Sequence, residues 1–188
     1  MKKNWWKSLK RKTAVNKCVV IHFLIGIPCS GKSYFAKNVL QNKYKDLVHL
    51  DSDEIRKKLF KKYSINEKNY ELYFETIDEE TDKIFLEQIK KFVLEGKSFI
   101  LDNANYKKTT RERIISFIKK ISYKHKIPVK IIGYYFVVSK TELEKRNIQR
   151  VKRKERFSIT KEQFKNYLSN YTYPTLEEGF DLLIRIEN

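Results

Sequence analysis

The 188-residue sequence contains only two cysteines, Cys18 and Cys29, which are too few for a disulfide framework. Glycine and proline are also scarce, with five and three residues, and neither a linker-like segment nor an internal repeat divides the chain. No apolar run approaches the length of a membrane span, and no apolar signal core follows the basic N-terminus. The sequence therefore predicts an intracellular, cytoplasmic protein, with a nuclear location left open, built of a basic extension (residues 1–17) and one domain (residues 18–188).

Acidic residues are few relative to basic ones. The chain has 41 Lys and Arg against 23 Asp and Glu, which gives a formal charge of +18. Such an excess favours a polyanionic partner, nucleic acid before others. A sequence rich in Lys, Ile and Asn, as AT-rich coding produces, explains the charge equally well. The hydrophobic fraction of 41% is sufficient for a globular core at this length.

The N-terminal extension carries seven Lys and Arg and no acidic residue. Trp5 and Trp6 lie among these bases, an arrangement that suits contact with a nucleic-acid backbone combined with base stacking. The alternative, which we favour, is a frayed tail or a helix whose tryptophans pack on the core.

The segment from Gly26 to Ser33 reads G-x-x-x-x-G-K-S, the pattern of a phosphate-binding loop. An apolar, β-branched stretch precedes it, and a segment with helical spacing of apolar residues follows it, so a chance glycine turn does not explain the context. Backbone N–H groups and the helix N-terminus would bind ATP phosphates. The predicted nucleotide-binding residues of this loop are Gly26, Cys29, Ser30, Gly31, Lys32 and Ser33. Among them, Lys32 would reach the β- and γ-phosphates, and the Ser33 hydroxyl would ligate Mg²⁺.

Further along the chain, apolar segments that predict strands alternate with segments that predict helices. The predicted strands cover residues 18–25, 47–50, 98–101, 129–138 and 180–186, and the predicted helices cover residues 34–40, 54–62 and 67–95 and begin again near Thr109, Thr141 and Thr160. A capping box, Thr109-x-x-Glu112, predicts the first of these last three helices, and the patterns Thr141-x-x-Glu144 and Thr160-x-x-Gln163 predict the starts of the other two. The fold class is therefore α/β, a five-stranded and mostly parallel sheet covered by helices on both faces. Ligand sites of such sheets lie at the carboxyl ends of the strands.

The second predicted strand ends in Asp51-Ser52-Asp53, followed by Arg56. A carboxylate beside a bound γ-phosphate can accept the proton of an attacking hydroxyl, which is the role predicted for Asp53. Arg56, three residues further, can clamp an acceptor phosphate with its guanidinium. A plain helix cap at Asp51, Ser52 or Asp53 explains the location of the acids but not the arginine. The Asp51-x-Asp53 pair lacks the Gly-Thr expected of a phosphatase.

The third predicted strand ends in Asp102-Asn103-Ala104-Asn105. We expect Asp102 either to receive a Mg²⁺-bound water or to orient Arg56, and Asn105 to hydrogen-bond the acceptor or the nucleotide. A polar turn between strand and helix is the simpler alternative.

Three arginines, Arg146, Arg150 and Arg153, share one face of the helix predicted from Thr141. A helical lid of this kind would neutralise charge on the phosphoryl group in transfer, which makes Arg150 a catalytic candidate and both Arg146 and Arg150 nucleotide-binding candidates. A solvated basic face is the alternative. The basic stretch 107–126, with eight bases against one acid, would steer a polyanion.

Taken together, these motifs resemble the kinase domain of polynucleotide 5′-hydroxyl kinases, a P-loop kinase family. The resemblance covers roughly residues 18–186 and is carried by the segments 26–33, 48–53 with Arg56, 102–105, 144–147 with Arg150, and 173–180. It implies that Asp53 is the general base and that Arg56 binds the acceptor's 3′ phosphate. It further implies that Asp102 supports that site and that Arg150 contacts the ATP phosphates. One departure is Cys29, where such loops often have a second glycine.

The prediction is an ATP- and Mg²⁺-dependent phosphotransferase that acts on the 5′-OH end of RNA or DNA. Related kinases of nucleotide sugars, seryl-tRNA or small alcohols share the glycine loop and an acceptor motif like Asp53-x-x-Arg56, so a non-polymer or tRNA-linked acceptor is the first alternative. The second is an ATP-switched nucleic-acid-binding module, which gives no reason for the pairing of Asp53 with Arg56.

Overall fold

The fold is a five-stranded parallel sheet, seen in a computed structural model that describes residues 18–65, 70–152 and 159–187. The strands are β1 (Val19–Ile25), β2 (Val48–Asp51), β3 (Phe99–Asp102), β4 (Val129–Val137) and β5 (Leu182–Glu187). Their order is β2-β3-β1-β4-β5, and every neighbouring pair is parallel. The α/β sheet predicted from the sequence is confirmed. The predicted basic extension, with Trp5 and Trp6, lies outside the described residues.

Helices connect the strands and cover the sheet. They are α1 (Lys32–Phe35), α2 (Gln41–Lys43), α3 (Ser52–Lys62), α4 (Tyr70–Leu94), α5 (Lys108–His125), α6 (Lys140–Lys152) and α7 (Lys161–Ser169). A π-helical segment, Ala36–Leu40, joins α1 to α2, and a 3₁₀ turn, Leu176–Glu178, precedes β5. Within the described residues, no helix combines the length and the apolar character needed to span a bilayer.

The alternation of side chains along β1 explains why helices pack on both faces. Val19, Ile21 and Phe23 are buried in the larger core, which α3, α4 and α5 complete. Leu24 points to the other face and packs with Ala36 of the helix that follows the glycine loop. Because β1 is buried on both sides and paired on both edges, the loop at its carboxyl end has a rigid support.

The helices predicted from Thr109, Thr141 and Thr160 all form, but the capping box predicted at Thr109 is wrong. Helix α5 begins at Lys108 rather than after Thr109, and the Lys108 N–H donates to the Thr172 hydroxyl at 2.8 Å, so a distant residue supplies the cap. Helix α6 begins at Lys140, with Ser139 accepting from the Glu142 N–H at 3.2 Å. Only the box at Thr160 forms, with both of its reciprocal hydrogen bonds.

Candidate active site

The loop between β1 and α1 has the tight geometry that phosphate binding requires. A Cβ atom on Gly26 would lie 2.6 Å from the Ser30 hydroxyl oxygen and 3.3 Å from Cβ of Phe136, so a side chain there would displace its neighbours. Gly31 has φ of 97°, a left-handed conformation that glycine adopts without strain. Cys29 also has a positive φ, 67°, which explains why such loops often have a glycine at this position. The Gly26 N–H donates to the Ala104 carbonyl at 3.0 Å and thereby ties this loop to the loop after β3.

The Lys32 ammonium lies inside the curve of the glycine loop. Its Nζ donates to the carbonyls of Gly26 at 2.8 Å and Ile27 at 3.0 Å. Burial lowers the pKa of Lys32, while the charges of Asp102 and Asp53 oppose that shift and raise it. The two carboxylates are therefore near enough to act on the lysine, and the ends of β2 and β3 converge on the glycine loop.

The side chains of Asp53 and Arg56 contact each other at the start of α3. Nη1 of Arg56 donates to Oδ1 of Asp53 at 2.8 Å and to the Ser52 hydroxyl at 3.3 Å. The side chain of Asp51 caps the helix by accepting from the Asp53 N–H at 2.8 Å, so the cap and the pair coexist. Asp78 of α4 completes the arrangement, because its Oδ1 accepts from Nε of Arg56 at 2.8 Å.

Asp78 is a site residue that the sequence did not single out. A run of six acids from Glu71 to Asp82 was the only signal, and nothing in the run distinguishes its members. In the structure, Asp78 bonds to Arg56, whereas Asp82 forms a bidentate pair with Arg113 of α5. The acidic run therefore balances bases on neighbouring helices.

Asp102 is buried at the end of β3, where its side chain contacts His49. Its Oδ2 lies 3.0 Å from Nε2 of His49. Within the described residues, His49, Asp51 and Asp102 form a group whose ligand atoms lie within 4.8 Å of one another. Burial, followed by the charges of Asp102 and Asp53, raises the pKa of Asp51. A cation near this strand end would reduce the repulsion between the Asp51 carboxylate and those of Asp102 and Asp53.

Asn105 is buried beside β1. Only 2% of it is exposed, and its Nδ2 donates to the Leu24 carbonyl of β1 at 2.8 Å. Its Oδ1 has no hydrogen-bond partner among the described residues. The Nδ2 contact holds the loop against the sheet, and a contact of Asn105 with acceptor or nucleotide stays a prediction.

Helix α6 brings two arginines to the glycine loop. Nη1 of Arg146 lies 3.5 Å from the Cys29 carbonyl, and Nε of Arg146 donates to Glu142 at 2.8 Å. Arg150 is half-buried and forms no ion pair within the described part of the chain. Its charge contributes to lowering the pKa of Lys32, which brings it within electrostatic reach of the loop. Arg153 lies outside the described residues.

Fewer side chains of the basic stretch 107–126 are available to attract a polyanion than the sequence suggested. Arg111 is fully buried and forms a bidentate ion pair with Glu178, with distances of 2.6 and 2.7 Å. Arg113 is paired with Asp82. The stretch retains exposed lysines, which are Lys107, Lys108, Lys119, Lys120, Lys124 and Lys126.

The residues present fit a nucleotide with Mg²⁺. The close approach of Gly26 to Ser30 leaves a backbone cradle of the kind that phosphates occupy. Ser33 is exposed at the start of α1, and Asp102 lies at the end of the strand next to β1. Hydroxyl and carboxylate oxygens are the ligands that Mg²⁺ prefers.

Comparison with known proteins places this arrangement in a family. The sequence profile of a family described as an AAA domain, AAA_33, matches residues 21–174. The chain belongs to this AAA domain family. The match spans the glycine loop, the ends of β2 and β3, and helix α6. None of the curated proteins matches the sequence.

Solved structures share the fold of this family member. A protein of Chloroflexus aurantiacus, provisionally named a kinase, has a TM-score of 0.70 at 16% identity, covering 91% of this chain and 85% of its own. A fungal RNA kinase has a TM-score of 0.56 at 19% identity, and the match covers 90% of this chain and 75% of the kinase. The APS kinase CysC of Mycobacterium tuberculosis, solved with AMPPNP and APS, has a TM-score of 0.54 at 14% identity. That match covers 90% of this chain and 88% of CysC. These likenesses show a P-loop kinase-like fold and leave the acceptor undetermined.

Proposed function

We propose that this AAA domain protein transfers the γ-phosphoryl group of ATP to the 5′-OH end of RNA or DNA. The observation that carries the proposal is the 2.8 Å contact between Asp53 and Arg56, because both residues begin the helix after β2 and Asp53 acts electrostatically on Lys32. A base, an anion-binding guanidinium and a phosphate loop are the groups that phosphorylation of an alcohol needs.

In the proposed reaction, the Asp53 carboxylate accepts the proton of the 5′-hydroxyl as its oxygen attacks the γ-phosphorus. The bond from that phosphorus to the β–γ bridging oxygen breaks, and ADP leaves with the electron pair. Arg56 binds an acceptor phosphate and so sets the position of the hydroxyl relative to Asp53. Asp78 holds Arg56 through Nε, and Asp102 supports the same strand-end region.

The nucleotide half of the site is proposed for the glycine loop and α6. The backbone of Gly26, Cys29, Ser30 and Gly31, the Lys32 ammonium, and the guanidinium groups of Arg146 and Arg150 would bind the ATP phosphates. Ser33 would hold Mg²⁺, which when bound neutralises charge on the β- and γ-phosphate oxygens. Helix α6 would act as the arginine lid.

Three observations support a nucleic-acid acceptor. The chain has a formal charge of +18, exposed lysines remain on α5 and the loop before it, and the RNA kinase shares the fold. We assign the transfer to a domain over residues 18–188 and regard residues 1–17 as a basic extension. The likeness to an APS kinase keeps a small nucleotide as the competing acceptor.

The test is incubation with labelled ATP, Mg²⁺ and a set of acceptors, namely 5′-OH RNA, 5′-OH DNA, adenylyl sulfate and small alcohols. We expect label at the polynucleotide 5′ ends. Asp53→Asn should lose at least 100-fold in transfer rate because it removes the base, while ATP affinity measured by nucleotide titration stays unchanged. Glu54→Gln, at the exposed neighbouring acid, is the control and should keep the wild-type rate.

Two results would overturn the proposal. Transfer to adenylyl sulfate or an alcohol with none to polynucleotides would assign a small acceptor. ATP hydrolysis without transfer to any acceptor would assign an ATP-switched binding module.

A further inference from the structure

A pair of tyrosines lies beside the glycine loop and has no part in the reaction described above. The ring centroids of Tyr106, in the loop after β3, and Tyr167, on α7, are 4.9 Å apart at an interplanar angle of 69°. Both rings pack against a small hydrophobic cluster that contains Ile27 of the glycine loop and Leu143 of α6. Each tyrosine is only partly buried.

The tyrosine pair lies at the same edge of the sheet as the acceptor groups. Burial and then Tyr106 raise the pKa of Tyr167, and the charges of Asp53 and Arg56 also act on it, in opposite directions. Tyr106 belongs to the loop that follows Asp102. Asp102 is in register with Asp51 of β2, which directly precedes α3, and Ile27 of the glycine loop shares the hydrophobic cluster of the two rings. The rings therefore lie at the strand ends that carry the groups proposed to receive the acceptor.

The backbone of Tyr106 is held rigidly. Its carbonyl accepts from the Thr172 N–H at 3.0 Å, from the Thr172 hydroxyl at 3.2 Å and from Nη1 of Arg111 at 3.0 Å. A ring on such a backbone is pre-organised, so a ligand that stacks on it does not have to order the loop first.

Basic residues accompany the aromatic surface. Lys107 Nζ lies 5.6 Å from the centroid of the Tyr106 ring, and both Lys107 and Lys108 are exposed. Aromatic rings beside ammonium groups are the combination that binds single-stranded nucleic acid, because bases stack on the rings while phosphates approach the cations.

We propose that Tyr106 and Tyr167 form a stacking site for the base of the acceptor's terminal nucleotide. The inference rests on the proposed function and makes its substrate class narrower: the acceptor is a nucleotide-bearing end whose base is unpaired and reaches the rings, rather than a sugar or an alcohol. The lysines would hold the phosphates of the strand behind that nucleotide.

The test compares two fluorescent oligonucleotides with a 5′-OH, one with a normal 5′-terminal nucleotide and one with that base removed. Binding is measured by anisotropy in the presence of AMPPNP, and transfer is measured with ATP. We expect the wild type to bind the base-bearing strand about tenfold more tightly than the abasic strand. Tyr167→Leu, which keeps an apolar side chain in the cluster, and Tyr106→Leu should each remove most of that ratio, whereas Tyr167→Phe should retain it.

Tyr123→Leu is the matched control, because Tyr123 is 89% exposed on α5 and should leave the ratio unchanged. Nucleotide affinity of each variant checks that the loop remains folded. Equal binding of the two strands by the wild type, or an unchanged ratio in both leucine variants, would overturn the inference. A base-dependent ratio without any transfer would instead contradict the proposed function and leave the stacking site standing.

Discussion

Nε of Arg56 donates to Oδ1 of Asp78 at 2.8 Å, and this bond joins the helix after β2 to the long helix α4. The same guanidinium donates through Nη1 to Asp53. A planar guanidinium bound along two of its edges has a fixed orientation, unlike an arginine that is free to rotate. Asp78 is accordingly expected to position the acceptor-binding group without touching the acceptor.

Replacing Asp78 by Asn should weaken the binding of acceptors that carry a 3′ phosphate. The amide keeps the shape but loses the charge-assisted bond, so we expect the KM for a nucleoside 3′-monophosphate acceptor to rise about tenfold. The kcat and the KM for ATP should change little, and Asp78→Glu should restore part of the loss.

Asp82→Asn is the matched control for Asp78, because it lies one turn further along α4 and pairs with Arg113 on the exposed surface. Its acceptor KM should equal that of the wild type. An acceptor KM that stays constant in Asp78→Asn, or that rises equally in Asp82→Asn, would show that Asp78 has no positioning role.

The buried pair of Arg111 and Glu178 is expected to make a large contribution to stability. Both side chains are fully buried, and Glu178→Gln would leave the Arg111 charge without its counter-ion. Loss of one partner of such a pair costs about 3–5 kcal/mol. Urea unfolding should show that loss, whereas Glu187→Gln, in the exposed pair with Arg185, should change stability by less than about 1 kcal/mol. Similar losses in the two variants would contradict this assignment.

Sequence patterns predicted the sheet and the glycine loop because both depend on local signals, namely apolar runs and a fixed spacing of glycines. They did not predict contacts between segments far apart in the chain. Arg56 and Asp78 are 22 residues apart, and the cap of α5 comes from Thr172, 64 residues from Lys108. The hydrogen bond from the Asn105 amide to the Leu24 carbonyl, 81 residues away in the chain, was likewise not predicted.

His22 should make the fold less stable in mild acid. It is buried in β1, where its Nδ1 lies 3.0 Å from the Tyr134 hydroxyl and its ring is 5.6 Å from that of Tyr44. Burial, with a smaller effect of the Lys43 charge, lowers the pKa of His22 from 6.5 to about 4. Between these values the unfolded chain binds a proton that the folded chain does not, so stability falls as the pH drops from about 6.5 to about 4.

The free energy of unfolding should fall by about 3 kcal/mol through His22 at the lower end of this pH range. The measurement is urea unfolding at a series of pH values for the wild type and for His22→Leu, which should show a smaller decline. His125→Gln, at the exposed C-terminus of α5, should keep the wild-type decline. An identical pH dependence in His22→Leu would mean that other groups cause it.

Cys29 is the position where the glycine loop departs from the sequence expected of such loops, and its backbone conformation predicts how substitutions there change stability. Its φ of 67° costs an L-residue about 1–2 kcal/mol of stability. Cys29→Gly would remove that cost, but the greater freedom of glycine in the unfolded chain would offset the gain. We expect this variant to lie within about 1 kcal/mol of the wild type. Cys29→Val should be less stable by about 2 kcal/mol, because a β-branched residue fits this conformation poorly. Urea midpoints measure both differences, and nucleotide titration should show weaker ATP binding only in the valine variant. Equal stability of the two variants would mean that the loop relaxes to a negative φ at this position.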